Sequence, residues 1–171
     1  ILRDEGPVNA FLNIGFHLEG ECLKMHQTHY IDLTLERFGM SDSNPVKTPM
    51  VTNFDASADG EKADEKNYRQ LIGSLMYLMV CTRGDLAHAM SVLSRHLNDP
   101  RMKHLKAAKR VLRYVKGTRE KGLVFHLKKG FDLFGFSDAS HGDCKEAGYR
   151  STAGQLLFVG RALIMWKAKM Q

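Results

Sequence analysis

Lys103-His104-Leu105-Lys106-Ala107-Ala108-Lys109-Arg110-Val111-Leu112-Arg113-Tyr114-Val115-Lys116-Gly117 is the stretch on which the reading of the fold turns. Leu105, Ala108, Leu112 and Val115 recur at intervals of three and four, the period of one helix face. Lys103, Lys106, Arg110 and Arg113 repeat at the same intervals on another side, with Lys109 and Lys116 flanking them. The pattern predicts a helix over 101–116 that buries one face, presents a strongly positive one, and stops at Gly117.

Two more helices precede it. Residues 67–80 carry Leu71, Ile72, Leu75, Met76, Leu78 and Met79, apolar on most sides, which suits a central helix. Asp85 is a good N-cap for a helix bearing Leu86, Ala89, Met90, Leu93 and Leu97, stopped by Asn98-Asp99-Pro100. Further upstream, a turn at Gly6-Pro7 leads into two short apolar runs, 11–18 and 22–25, joined through Glu19-Gly20-Glu21, which reads as a hairpin. Residues 29–40 have helical spacing with Gly39 as the stop. Residues 41–66, with Pro45, Pro49 and many acids, read as an extended linker, mobile in part. Downstream, apolar runs at 133–136, 155–159 and 163–166, punctuated by Gly142, Gly148 and Gly160, predict three antiparallel strands. The fold class is α+β. Such a sheet needs cover on its second face, and the expectation is a chain cut from something longer, as its start at Ile1 also suggests.

With 43% hydrophobic and 26% charged residues, the chain suits one medium domain or two small pieces. Its longest apolar run, 75–81, is far below the roughly 18 residues of a membrane span, so no membrane partner is expected. No secretory leader is visible. Cys22, Cys81 and Cys144 are odd in number and form no C-x-x-C pair, which fits a reducing, intracellular compartment. His26-x-x-His29 would put two metal ligands on one turn, but without an acidic or Cys partner close by it reads better as polar residues at a helix start. The net charge of +6 is uneven: residues 67–130 hold 14 Lys/Arg against 3 Asp/Glu, whereas 1–66 hold 6 against 12. A basic middle suggests a polyanion partner; the bland reading is a solvated helix face.

Several phrases resemble the Pol region of copia-type (pseudoviral) retrotransposons. They are Phe11-Leu12-x-Ile14, Leu35-Glu36-Arg37-Phe38-Gly39-Met40 with Thr48-Pro49-Met50, and Tyr68-Arg69-x-Leu71-Ile72-Gly73-Ser74-Leu75-Met76-Tyr77-Leu78. Residues 107–118, Phe136-Ser137-Asp138-Ala139, Arg150-Ser151-Thr152-Ala153-Gly154 and Trp166-Lys167-x-Lys169 continue the match in order. Departures are Asn13 for the family's Gly, Gly84 for Pro and His141 for Trp. The resemblance implies that 1–50 is the end of the reverse transcriptase and 51–66 an acidic linker. It makes 67–130 a three-helix, thumb- or connection-like unit, and 131–171 the opening strands of an incomplete RNase H-like sheet.

It also implies a chemistry. Asp138 would be a remnant catalytic carboxylate and Mg²⁺ ligand of the RNase H, while Asp143 reads as a turn residue. The polymerase Asp-Asp pair would lie before Ile1 and the next RNase H carboxylate after Gln171. Two-metal phosphodiester hydrolysis needs several carboxylates around the cations, so the fragment is expected to be inactive alone, with Mg²⁺ held only in the complete enzyme. Lys103, Lys106, Lys109, Arg110, Arg113 and Lys116 would contact an RNA–DNA hybrid or duplex through its phosphates, without reading bases. Partners would be that duplex and the remainder of the polyprotein, in cytoplasm or nucleus, or in a virus-like particle for the complete element. The alternatives are a retained non-catalytic module binding nucleic acid or protein, and a decayed insertion.

Overall fold

A computed structural model describes residues 6, 8–128, 130–144 and 150–171, without the side chains of 141–144. Pro7 of the expected turn, and Gly148, lie outside the described residues. The mixed α+β class holds, with two antiparallel sheets around a helical core. The first sheet has the order β1 (Ala10–Phe11), β2 (Ile14–Glu19), β3 (Cys22–His26), β4 (Gly122–His126). The expected hairpin is β2–β3, with Glu19 opposite Cys22 and Gly20 at φ 56° in the two-residue turn. A second tight turn joins β1 to β2, and it puts both Leu12 and Asn13 in the left-handed region, at φ 49° and 60°. Asn tolerates that region better than most residues with a side chain, which explains how it replaces the family's Gly at 13.

β4 is the element that periodicity does not predict. Residues 122–126 fall in the 67–130 stretch expected to be a helical unit, yet they return to β3 as a strand with Gly122 opposite His26 and His126 opposite Cys22. A Cβ on Gly122 would lie 2.1 Å from the Met25 carbonyl oxygen, so only glycine admits this approach.

Four helices build the core. α1 (Thr28–Arg37) ends as expected at Gly39, φ 62°, where Met40 N–H donates to the Leu35 carbonyl. α2 (Glu65–Cys81) starts on Asp64, whose carboxylate accepts from the N–H groups of Lys66 and Asn67 at 3.0 and 3.3 Å. It is central, with Leu71, Leu75 and Leu78 fully buried and a narrow solvent strip at Arg69 and Gly73. The helix expected from Asp85 is shorter. A 3-10 turn, Gly84–Leu86, precedes α3 (Ala87–Leu93), and another, Ser94–His96, follows it. Asp85 is not an N-cap, because its carboxylate is held by Arg83 and Tyr114 instead. α4 (Met102–Gly117) buries Leu105, Ala108, Leu112 and Val115 as predicted, together with His104, Val111 and Tyr114. Each fully buried aliphatic side chain here contributes about 1.5–3 kcal/mol of transfer free energy.

The second sheet has the order β5 (Leu133–Cys144), β6 (Arg150–Val159), β7 (Ala162–Met170), the three antiparallel strands expected. Its register sets Leu156 opposite Trp166 and Phe134 opposite Phe158, so Leu156, Phe158 and Trp166 share one face. β7 docks that face on the helices. The Trp166 ring lies on Gly84, where a Cβ would be 2.7 Å from its Cγ, and its indole N–H donates to the Met79 carbonyl at 2.8 Å. Away from β7 the face is open, with Phe134 and Phe136 exposed.

Candidate nucleic-acid interface

The basic face of α4 forms as the spacing predicts, and the chain covers much of it. Residues 41–59 lack regular elements and run along this helix as a strap. Val46, Met50 and Phe54 pack on the core, and Ala56 is buried. The strap's oxygens then meet the cations in order along α4. Lys103 Nζ donates to Asp55 at 2.8 Å, to Asp59 and to Ser57 Oγ. Arg110 Nη2 donates to Thr48 Oγ1 at 2.9 Å and Arg113 Nε to the Asn44 carbonyl at 2.5 Å. Lys116 Nζ donates to the carbonyls of Ser41 and, at 2.8 Å, Ser43. Lys106 and Lys109 stay exposed. The six candidate cations therefore lie on one side of α4, but four of them hold the strap.

The charge consequence is concentrated at one end. Hydrogen bonds from Lys103, then those from Ser57, hold the Asp55 carboxyl well below the usual carboxylate range, and Asp59 is lowered the same way. Lys103 is raised in turn, first by Asp55 and then by Asp59. The other three cations meet neutral oxygens and keep their charge uncompensated. Arg110 Nε is buried without a hydrogen-bond partner.

Asp138 sits on β5 opposite Gly154, and its Oδ1 accepts the N–H of Ala139 at 2.9 Å. It is exposed. β5 runs on through Cys144, so Gly142 and Asp143, expected at a strand break and in a turn, lie within the strand; the side chains of 141–144 are not described. Among the described residues, no three His, Cys, Asp or Glu side chains gather where a metal would bind. One carboxylate offers too few oxygens for a hard dication, so the described residues do not by themselves make a Mg²⁺ site. His26, at the end of β3, is hydrogen-bonded through Nδ1 to Thr28 Oγ1 at 2.9 Å and covers Gly15, the helix-start role read for it.

Two constellations escape sequence reading. Arg83, only 1% exposed, donates two bonds to Asp85 and two to Thr118, while Tyr114 OH donates to Asp85 at 2.7 Å. Burial pushes the Asp85 carboxyl up, and the guanidinium outweighs it, leaving a net lowering. This network pins the 3-10 turn to α4, and single-residue patterns carry no trace of a pairing 29 positions apart. The second is the strap's acids. Their signal was the acidic stretch before a basic one, but only the fold shows that the two meet.

Compared with known proteins, the chain is 34% identical, over 99% of its length, to an uncharacterized mitochondrial protein of Arabidopsis thaliana, of which it covers 70%. It is 36% identical to the retrovirus-related Pol polyproteins from transposon TNT 1-94 of Nicotiana tabacum and transposon RE1 of Arabidopsis thaliana, again over 99% of its length. The chain belongs to the copia-type retrotransposon Pol family. It spans 13% and 12% of those two polyproteins, so it corresponds to one stretch of a Pol chain. No family model and no solved structure matches it. No helix among the described residues is long and apolar enough to cross a membrane.

Proposed function

We propose that this Pol segment connects reverse transcriptase to RNase H, turns over no substrate by itself, and touches duplex nucleic acid through phosphate contacts from α4. The observation that supports this reading most is the order of parts: a hairpin and helix, a helical core with one basic helix, then a three-stranded sheet carrying Asp138. That order runs through a chain matching Pol polyproteins along 99% of its length. On this reading 1–50 closes the reverse transcriptase and 51–66 is a linker. Residues 67–130 form the connection and 131–171 open an RNase H-like sheet. Asp138 supplies one carboxylate toward Mg²⁺ in a complete polyprotein, whose substrate is an RNA–DNA hybrid. The compartment is cytoplasm or nucleus, or the virus-like particle of an intact element.

Lys106 and Lys109 are the exposed cations of α4 and carry the contact. Duplex binding measured against salt tests it. Lys106→Gln with Lys109→Gln should weaken binding equally for all sequences and flatten the salt dependence by about two slope units. An unchanged slope counts against the reading. It would favour a module that binds protein instead, for which the exposed Phe134, Phe136 and Leu156 offer an apolar face.

A further inference from the structure

We infer that residues 41–59 are a built-in competitor for the phosphate-binding face of α4, so that duplex nucleic acid gains full contact only by displacing Asp55 and Asp59 from Lys103. This rests on the nucleic-acid reading proposed above and adds its regulation. The strap does to α4 what a phosphate backbone would do. It lays a line of oxygen acceptors against cations from Lys103 to Lys116, 13 residues that span about 20 Å of helix.

The strap is a mixed ligand. At Lys103 it is strong, because two carboxylates and the Ser57 hydroxyl surround one ammonium. Along the rest of the face it is weak, because Arg110, Arg113 and Lys116 meet only a hydroxyl and backbone carbonyls. A charged acceptor makes hydrogen bonds roughly twice as strong as a neutral one. A phosphate therefore outcompetes the strap at those three positions, and the carboxylates hold the remaining end closed. Arg110 shows the same imperfection at atomic scale. Its Nη2 is bonded to Thr48, but its Nε is buried with no partner, an arrangement that a two-oxygen acceptor such as phosphate would complete.

A double-mutant cycle tests this with the whole chain and a fluorescent RNA–DNA duplex of mixed sequence, read by anisotropy across a salt series. Asp55→Asn with Asp59→Asn should tighten binding about tenfold at low salt and steepen the salt slope by about one unit, as Lys103 becomes available. Lys103→Gln alone should change affinity less than about twofold, since Lys103 is already occupied, yet added to the two strap substitutions it should remove most of the gain. Glu19→Gln with Glu21→Gln, the same charge change on the β2–β3 turn, should give a much smaller gain. Far-UV circular dichroism checks that each variant is folded. If Lys103→Gln costs the same with and without the strap substitutions, or the hairpin variant matches the strap variant, the strap is no competitor, although duplex binding by α4 stands. If neither the native chain nor the strap variant binds duplex at low salt, the nucleic-acid reading falls and the competitor with it.

Discussion

His96 stacks on His104 with ring centroids 3.9 Å apart and planes 22° from parallel. His104 accepts the Arg101 N–H at Nδ1, 3.0 Å away, so its own proton sits on Nε2, facing the Ala56 carbonyl at 3.3 Å. The buried His96 Nε2 has no hydrogen bond. Burial, and next the charge His104 would carry, push the His96 pKa down from 6.5 to about 4. The unfolded chain thus takes up a proton that the folded chain refuses. Stability from this group is present above the ordinary histidine pKa and falls as pH drops from 6.5 towards 4, with no further loss below. Melting temperature followed across that window should decline less in His96→Phe, which keeps a ring in the stack without a proton to bind. Equal declines would clear His96 of the effect.

At the scale of elements, Trp166 is one anchor of β7 on the helices, beside the Arg95 Nη1 contact with Met170 Sδ. Trp166 is the single tryptophan of the chain, so its emission reports that anchor alone. Gly84→Ala would place a Cβ 2.7 Å from the Trp166 ring. The ring must move off its seat, at a cost of about 1–3 kcal/mol, and its emission should shift to the red. Denaturant unfolding and fluorescence of the variant check both, and unshifted emission would mean that the ring tilts in place. β5 should behave differently from β7. Both are edge strands, but β5 lies away from the helices with Phe134 and Phe136 open to solvent, and its amides should exchange faster than those of α2 and α4, by residue-resolved hydrogen exchange. A β5 as protected as α2 would point to a sheet already complete in itself.

For the whole molecule, the prediction is the absence of turnover. With Asp138 exposed and no three metal-binding side chains gathered among the described residues, the chain should neither cleave an RNA–DNA hybrid nor extend a primer with Mg²⁺ or Mn²⁺. Cleavage above a matched blank that disappears in Asp138→Asn would overturn this. It would mean that a group outside the described residues completes the site.

Sequence alone determined what is local. The apolar stripe of α4, the glycine stop at Gly39, a central helix from about Asn67, which the structure starts at Glu65 on the Asp64 cap, and the three late strands all follow from periods and stops. A handful of ordered phrases was enough to identify the Pol family, because a motif order survives where single residues drift. Tertiary structure decided what depends on distant partners. β4 is placed by the edge that β3 offers it, a partner about 100 positions away in sequence. Asp85 abandons its cap because Arg83 and Tyr114 reach it first. The cations of α4 were legible as a stripe, but whether they face phosphate or the chain's own strap is set by contacts 44 to 75 positions apart, and a local pattern holds no record of those.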